Sequence, residues 1–353
     1  MPLRNRRQPT LNEIAKLTGV HVSTVSRVLR QQEPPDGWSD AALNIRRVAE
    51  QLGYRTNLMA ASLRTRQTRI IGVVMSRLSD TVMASMYEAM EAAASASGYQ
   101  ILLSSPPDSE DAQRRGVELL LSRQVDGIIL ASVHRPAQRA FDMTARHRTP
   151  ILLMNRHGDS VGRPTITCDD RRGGYLAARH LLDLGHRRIG VVAGPSHAST
   201  ANDRVVGVCE ALREAGIHQP AELIVNSDFD VEGGLSAGQR LLSLRDRPTA
   251  IFAVGDVAAI AVMRIAREMG LTLPEDLSVV GYNDIALSSI LPVPLTTIRS
   301  PHAEMGRLSL ERLLDLLAER KIESAVLPIE LVVRASTTAL QSPQPRKKRP
   351  RRA

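Results

Sequence analysis

The sequence predicts an α/β protein in which an all-α head precedes a core of parallel α/β sheets. Up to about residue 53, apolar residues recur at the three- and four-residue spacing of amphipathic helices. Beyond residue 69, short apolar runs alternate with helical stretches, which is the pattern of parallel sheets. A chain of 353 residues is also too long for one hydrophobic core, so two or three domains are expected.

The head begins with two predicted helices in the segment TLNEIAKLTGVHVSTVSRVL, residues 10–29. Thr10 and Glu13 have the spacing of a capping box, and Gly19 lies where a tight turn needs a positive φ. The predicted apolar faces consist of Leu11, Ile14, Ala15 and Leu17 in the first helix and Val22, Val25, Val28 and Leu29 in the second. This spacing is typical of a helix-turn-helix that reads DNA; the alternative is an ordinary helical hairpin.

A third helix and a domain boundary complete the head. Ser39 precedes a helical stretch that Gly53 ends, and three helices can share one small apolar centre. The basic segment RTRQTR, residues 64–69, then separates the head from the core.

The core contains two successive sets of alternating strands and helices. Strands are predicted at 70–75, 100–105, 126–132 and 151–155, and a second set of units begins at a helix over 170–184. There are enough units for two sheets. Ligands of such folds bind beyond the carboxyl ends of the strands, so a cleft between two sheets is the expected binding site.

The net charge of +9 is unevenly distributed. Residues 1–69 carry +7 and residues 346–352 carry +6, which leaves −4 for the rest of the chain. A basic head on a slightly acidic body predicts that one end contacts nucleic acid. The two cysteines, the absence of a secretory signal and the absence of a membrane-length apolar run predict a cytoplasmic protein.

With these features in order, the chain resembles the lactose-repressor (LacI/GalR) family of bacterial transcription regulators. The resemblance rests on the helix-turn-helix segment, LGYRTNLMAASLRT, RIIGVV, VDGIIL, HLLDLGHRRIGVVAG, PTAIFAVGD, LSVVGYND and PLTTIR. It implies a two-lobed core like that of periplasmic sugar-binding proteins. The domains that it implies are a DNA-binding head at 1–56, a hinge at 57–68, an effector-binding and dimerisation core at 69–340 and a basic disordered tail at 341–353. Within the core, the first lobe would comprise about 69–167 and 299–327, and the second about 168–298 and 328–340.

The resemblance implies that the start of the second helix enters the major groove. Val22, Ser23 and Arg27 match the base-reading positions, with Arg27 able to donate two hydrogen bonds to guanine. Thr24 and Ser26 would contact the DNA backbone. A phosphate contact is the alternative for Arg27.

Residues 57–64 match the hinge helix of the family. Asn57 would cap this helix, Ala60 would let it approach the DNA closely, and Leu63 would wedge into the minor groove. Thr56 stands where proline is usual in the family. The alternative for Leu63 is a contact inside the head, and the tail is either an aid to nonspecific DNA binding or simply solvated.

The resemblance also implies an effector site in the cleft. Arg204 and Asn283 match residues that hold ligand oxygens, and Phe229 either stacks on a sugar ring or belongs to the core. Arg156 either faces the cleft or is only a surface charge. The remaining predicted effector positions are Val82 and Met83 on the first-lobe wall, Asn155 at a strand end, and Gly255, which replaces a polar family residue.

The sequence therefore predicts a DNA-binding transcriptional regulator, acting as a repressor, that responds to a sugar, a sugar acid or a related derivative. Its expected partners are a near-palindromic operator and a second copy of the chain. No catalytic motif, metal ligand set or cofactor site is recognisable, so no enzyme activity and no cofactor are expected. The alternative is a solute-binding protein without a DNA-regulatory role.

Overall fold

The computed structural model describes residues 9–29, 37–54, 67–131, 133–134, 138–158 and 163–340. The chain divides into two compact units, Met1–Thr68 and Arg69–Ala353, which we describe separately. The predicted hinge residues Asn57, Ala60 and Leu63 and the predicted tail lie outside the described residues.

The described residues of the head unit form three helices: α1 (Leu11–Thr18), α2 (Val22–Val28) and α3 (Asp40–Gln51). The capping box is present, because the Thr10 hydroxyl accepts the Glu13 amide and the Glu13 carboxylate accepts the Thr10 amide. Gly19 ends α1 with φ 68°. The three helices share an apolar centre, in which Ile14, Val25 and Ile45 are fully buried.

One residue of the predicted apolar face of α1 is not in this centre. Leu17 is 63% exposed, although it lies in a helix whose other apolar residues pack inward. A helix of eight residues has a narrow buried stripe, and Ile14 and Ala15 already occupy it. The assignment of Leu17 to the inner face was therefore wrong.

The first lobe of the core is built on a six-stranded parallel sheet in the order β11-β5-β4-β3-β1-β2. Strand β1 lies between β2 and β3, with Val73 opposite Leu103 and Ile129. The elements of this lobe are β1 (Ile70–Val74), α4 (Thr81–Ala96), β2 (Gln100–Ser104), α5 (Glu110–Ser122), β3 (Gly127–Leu130), α6 (Gln138–Arg146), β4 (Ile151–Met154), β5 (Thr165–Cys168), α11 (His302–Leu317) and β11 (Ala325–Leu327).

The second lobe has a sheet of the same size in the order β12-β10-β9-β8-β6-β7, parallel except for the β10–β12 pair. Its apolar residues lie in two clusters, one on each face of the sheet. The elements of this lobe are α7 (Asp170–Asp183), β6 (Ile189–Ala193), α8 (Ser199–Glu214), β7 (Ile224–Asn226), α9 (Val231–Leu242), β8 (Ala250–Ala253), α10 (Asp256–Glu268), β9 (Ser278–Asn283), β10 (Thr296–Arg299) and β12 (Glu330–Val332), with 3₁₀ turns at Ala221–Leu223 and Ala286–Ser289.

The chain passes between the two sheets three times. It leaves the first sheet after β5, returns between β10 and α11, and crosses again between β11 and β12. Strands β5, β11 and β12 have three or four residues each and lack a long apolar run, so hydrophobic periodicity did not identify them. These three connections join the lobes and fix where the cleft opens.

Helices α7 and α8 pack in direct backbone contact, because glycines face each other at their crossing. A methyl group at Gly174 would overlap the carbonyl oxygen of Arg204, and one at Gly207 would overlap that of Arg171. This close approach brings Asp170 on α7 next to Arg204 on α8. The crossing therefore positions a charged pair beneath the cleft.

Candidate effector site and DNA-reading helix

A polar cavity lies between the two lobes, at the carboxyl ends of their strands. Its volume in this closed arrangement is about 50 Å³, room for a few water molecules. Small-molecule sites have about 300–1,000 Å³, so a sugar-sized ligand requires a wider separation of the lobes. The residues that line it are Ser76, Arg77, Asp80, Val82, Met83, Asp108, Asn155 and Arg156 from the first lobe and Thr200, Arg204, Phe229 and Asn283 from the second.

Three of the lining residues adopt the left-handed backbone conformation. The φ angles are 61° for Arg77, 67° for Asn155 and 107° for Asn283. Side chains other than glycine seldom adopt such angles, and asparagine tolerates them best. Asn155 directly follows β4 and Asn283 ends β9, so both turns aim an amide side chain at the strand edge where ligands of this fold bind.

Arg204 forms the floor of the cavity on the second-lobe side. Its Nε donates to Asp170 at 2.7 Å, its Nη1 donates to the carbonyl oxygen of Val254 at 2.6 Å, and its guanidinium lies 3.6 Å from the centre of the Tyr282 ring. Both Arg204 and Asp170 are 5% exposed. Burial raises the pKa of Asp170, and the adjacent guanidinium opposes that effect.

Arg156 is the buried arginine on the first-lobe side of the cavity, opposite Arg204, and it is not merely a surface charge. It is 6% exposed, and its two Nη atoms each lie 3.2 Å from an oxygen of Asp108. Burial alone would raise the pKa of Asp108, but the hydrogen bond from His134 and the charge of Arg156 hold that pKa well below its usual range. Asp108 is therefore an anion over the whole physiological range of pH.

Three buried polar atoms of the cavity residues have no hydrogen-bond partner among the described residues. They are Ser76 Oγ, Arg156 Nε and Asn283 Oδ1. A buried polar atom without a partner is destabilising by about 1–3 kcal/mol. When several such donors and acceptors lie in one cavity, they are characteristic of a site in which a polar ligand supplies the missing hydrogen bonds.

Side chains from the two lobes meet across the cleft. Arg77 donates to the backbone oxygen of Phe229 at 2.7 Å, and His157 Nε2 lies 2.7 Å from the Asp203 carboxylate. His197 Nε2 lies 3.3 Å from Asp108. These contacts hold the lobes in a closed arrangement around the cavity.

The structure brings most of the predicted effector residues together. Val82, Met83, Asn155, Arg204, Phe229 and Asn283 all line the cavity. Gly255 does not line it; a methyl group there would meet only the Asn283 amide, at 3.9 Å. Phe229 is half-buried with its ring beside Gly194, so it contributes both to the cavity wall and to the packing behind it.

Sequence reasoning missed five cavity residues: Ser76, Arg77, Asp80, Asp108 and Thr200. Ser76, Arg77 and Asp108 follow the carboxyl ends of β1 and β2, so the rule for parallel sheets could have identified them. Asp80 caps α4 by accepting the Val82 amide, and burial raises its pKa. Thr200 lies in the first turn of α8.

Two other aspartates near the cleft have structural contacts. Asp256 is 1% exposed and accepts hydrogen bonds from Thr297, Ser288 and the Ile285 amide. Burial raises the pKa of Asp256 to about 6, with the hydrogen bonds opposing the shift. Asp284 forms ion pairs that tie it to the neighbouring strands rather than to the cavity.

In the head, α2 presents two of the three predicted base-reading side chains to solvent. Ser23 and Arg27 are exposed, whereas Val22 is half-buried against the apolar centre. Thr24 and Ser26 are also half-buried. His21 caps α2 by accepting the Ser23 amide at 3.3 Å.

A helix-turn-helix in the head and a polar cleft between two α/β lobes are typical of one class, the DNA-binding regulators that respond to a small molecule. Residues 10–57 match the family described as bacterial regulatory proteins, lacI family, and residues 178–337 match the periplasmic binding protein-like domain.

Individual regulators and their solved structures are similar to this chain over most of its length. The chain is 31% identical to the HTH-type transcriptional repressor CytR of Escherichia coli strain K12 over 334 residues, which are 94% of this chain and 97% of the relative. It is 29% identical to a lac repressor dimer bound to operator and the anti-inducer ONPF, with a TM-score of 0.84 over 94% of this chain and all of that one. A LacI family regulator from Enterococcus faecium with bound ribose is 28% identical, with a TM-score of 0.70 over 77% of this chain and all of the other.

The chain therefore belongs to the lacI family of bacterial regulatory proteins, and it is a DNA-binding transcriptional regulator. This confirms the predicted fold class and function, and it does not support the alternative of a solute-binding protein. Among the described residues, no helix has the length and apolar character needed to cross a bilayer.

Proposed function

We propose that the cavity binds a small polyhydroxylated effector of the sugar or sugar-derivative class, and that this binding changes the affinity of the head for an operator. The observation that carries the proposal is that three buried atoms in one cavity, Ser76 Oγ, Arg156 Nε and Asn283 Oδ1, find no hydrogen-bond partner in the part of the chain that the structure describes. Relatives in the same family include a regulator with bound ribose and a repressor with an anti-inducer.

The charge arrangement favours hydroxyl groups over a strongly anionic ligand. Arg156 is paired with Asp108 and Arg204 with Asp170, so the two buried positive charges at the cavity are already compensated. The third cavity arginine, Arg77, lies 3.9 Å from the Asp230 carboxylate. The other polar groups that line the cavity are a mixture of hydrogen-bond donors and acceptors. Vicinal hydroxyls can donate and accept at the same time, so they satisfy such a mixture without adding a charge.

Operator binding would use Ser23 and Arg27 for base contacts, Thr24 and Ser26 for the DNA backbone, and Val22 for apolar contact with a base edge. The exposure of Ser23 and Arg27 supports the first assignment. We further propose that Asn57, Ala60 and Leu63 act in a hinge that comprises residues 57–68. The head would comprise residues 1–56, and the lobes would have the boundaries given above. The basic tail at 341–353 would stay outside the folded core.

A homodimer on a near-palindromic operator is the expected working state, since one head contacts too few base pairs for a unique site. The dimeric state of the lac repressor to which the chain is similar supports this assembly. We propose that the protein acts in the bacterial cytoplasm, on the nucleoid when bound, and has no catalytic activity.

The test is a binding screen with matched serine variants. Neutral pentoses and hexoses and the corresponding sugar acids are titrated against the full-length protein, and operator affinity is measured with each by fluorescence anisotropy. Ser76→Ala removes a hydroxyl that is unpartnered in the cavity, so its affinity for the effector should fall about fivefold, the effect of one hydrogen bond.

Ser309→Ala is the matched control, because Ser309 is also fully buried and its Oγ also lacks a partner among the described residues, but it lies in α11 away from the cavity. Its effector affinity should stay at the wild-type value. Binding of sugar acids alone would contradict the assignment to polyhydroxylated neutral ligands. Equal losses in both variants would contradict the assignment of the cavity.

A further inference from the structure

A cluster of two histidines and one aspartate bridges the two lobes beside the effector cavity. Asp108 and His134 follow β2 and β3 of the first lobe, and His197 follows β6 of the second. His134 Nε2 lies 2.6 Å from Asp108 Oδ1, and His197 Nε2 lies 3.3 Å from Asp108 Oδ2. The imidazole rings are stacked, with centres 4.0 Å apart and planes 11° apart.

We propose that Asp108, His134 and His197 form a binding site for a divalent transition-metal ion, with zinc the best match, and that the ion ties the lobes together. Histidine nitrogens and a carboxylate oxygen are ligands that zinc accepts, at about 2.0–2.2 Å each. Donors at those bond lengths in a tetrahedral site lie about 3.4 Å apart. The three donor atoms here all lie within 4.8 Å of one another. The lone pair of an imidazole nitrogen lies in the ring plane, so one of the two stacked rings must rotate out of the stack before both nitrogens point at one ion.

The surroundings leave the carboxylate able to accept a metal. The contacts from Arg156 to Asp108 are 3.2 Å each, longer than the 2.7–2.9 Å typical of strong charge-assisted bonds. An ionised carboxylate has about four lone-pair positions, so it can bind an ion through one oxygen while the other keeps Arg156. Arg156 would then orient the ligand carboxylate, as partners behind metal ligands commonly do.

The position of the ligands gives the ion a regulatory consequence. Because two ligands belong to the first lobe and one to the second, the complete site exists only when the cleft is closed. An ion that binds only one of two conformations shifts the population toward it. The metal would thus favour the closed core, independently of the identity of the effector.

The experiment measures binding of Zn²⁺ to the chelator-treated, full-length protein by competition with a chromophoric chelator, and of Co²⁺ by its visible absorption. We expect one ion per protomer with a Kd of 10 µM or tighter. His134→Gln and His197→Gln should each weaken binding at least thirtyfold and change the Co²⁺ spectrum. Neither variant alters Asp108, so Arg156 keeps its partner.

His218→Gln is the control. His218 is exposed in the loop after α8 of the second lobe and is not in the cluster. This variant should bind Zn²⁺ as the wild type does. A wild-type Kd above 100 µM, unchanged binding in His134→Gln and His197→Gln, or an equal loss in His218→Gln would each overturn the proposal.

Only the effect on DNA rests on the proposed function. If Zn²⁺ closes the core as inferred, it should change operator affinity in the wild type at least threefold and leave His197→Gln unaffected. Metal binding without any change in operator affinity would contradict the link to DNA binding while the metal site itself stands. Loss of sugar binding in the screen above would not affect the metal titration, so the two failures are distinguishable.

Discussion

Replacing Arg204 by alanine should destabilise the core by about 3–5 kcal/mol, the usual effect of removing one partner of a buried ion pair. The estimate follows from the contacts of Arg204. Its loss leaves the Asp170 carboxylate, only 5% exposed, without its counterion, and leaves the Val254 carbonyl without its donor. Since burial already raises the pKa of Asp170, the unpaired carboxylate would bind a proton more readily than in the wild type.

The assay is urea unfolding of the full-length protein followed by two probes. The single tryptophan, Trp38, packs against the apolar centre of the head, so its fluorescence follows the head unit. Circular dichroism at 222 nm is dominated by the much larger core. The Arg204→Ala variant should shift the dichroism transition to lower urea and leave the Trp38 transition unchanged.

A double-mutant cycle with Asp170→Ala separates the pair from its surroundings. If the two groups interact as the structure shows, the double variant should be destabilised by clearly less than the sum of the single variants. A loss below about 1 kcal/mol in Arg204→Ala, or additive losses in the cycle, would refute the account of a buried and mutually dependent pair. Effector binding by this variant must be measured at a urea concentration and temperature where the core is folded.

Three further predictions address other parts of the molecule. Arg27→Ala should reduce discrimination between operator and scrambled DNA by about 1–3 kcal/mol in a gel shift, and an unchanged preference with uniformly weaker binding would show a phosphate contact instead. Gly174→Ala should destabilise the core by about 1–3 kcal/mol in the same urea assay, because the new methyl group would push α7 and α8 apart; unchanged stability would contradict their direct contact. The pKa of Asp256 is about 6 in the folded protein and 3.8 in the free side chain, so the folded state binds the proton more tightly. The free energy of unfolding should therefore fall as the pH rises from about 4 to 6. The Asp256→Asn variant should lose this part of the pH dependence, and an identical pH profile would refute the assignment.

A strand end predicted one residue of the effector site, and the family resemblance predicted the others. Asn155 was assigned because a buried apolar run ends there, whereas Arg204 and Asn283 were assigned by their match to the family. The strand-end rule could have indicated Arg77 and Asp108, but no local pattern distinguishes Thr200 from a surface polar residue. Their role depends on the approach of the opposite lobe, which brings together residues as far apart in sequence as Arg77 and Phe229.

The same limit applies to charges and to apolar residues. Arg156 could be a surface charge or a cleft residue by sequence, and only its contact with Asp108, 48 positions away, decides the matter. Leu17 fitted the helical periodicity of α1 and is nevertheless exposed, since periodicity shows which residues share a face but not how wide the partner surface is.

The sequence by itself determined the succession of helices and strands, the basic head, the capping of α1 and the presence of a parallel two-sheet core, because these follow from local propensity and from the period of apolar residues. Tertiary structure alone decided which polar side chains face one another across the cleft, which charged side chains form ion pairs, and where Asp108, His134 and His197 meet. Those features depend on three crossings of the chain between the sheets and on glycine contacts between helices. Contacts of that kind join residues distant in sequence, and no local pattern encodes the distance between them.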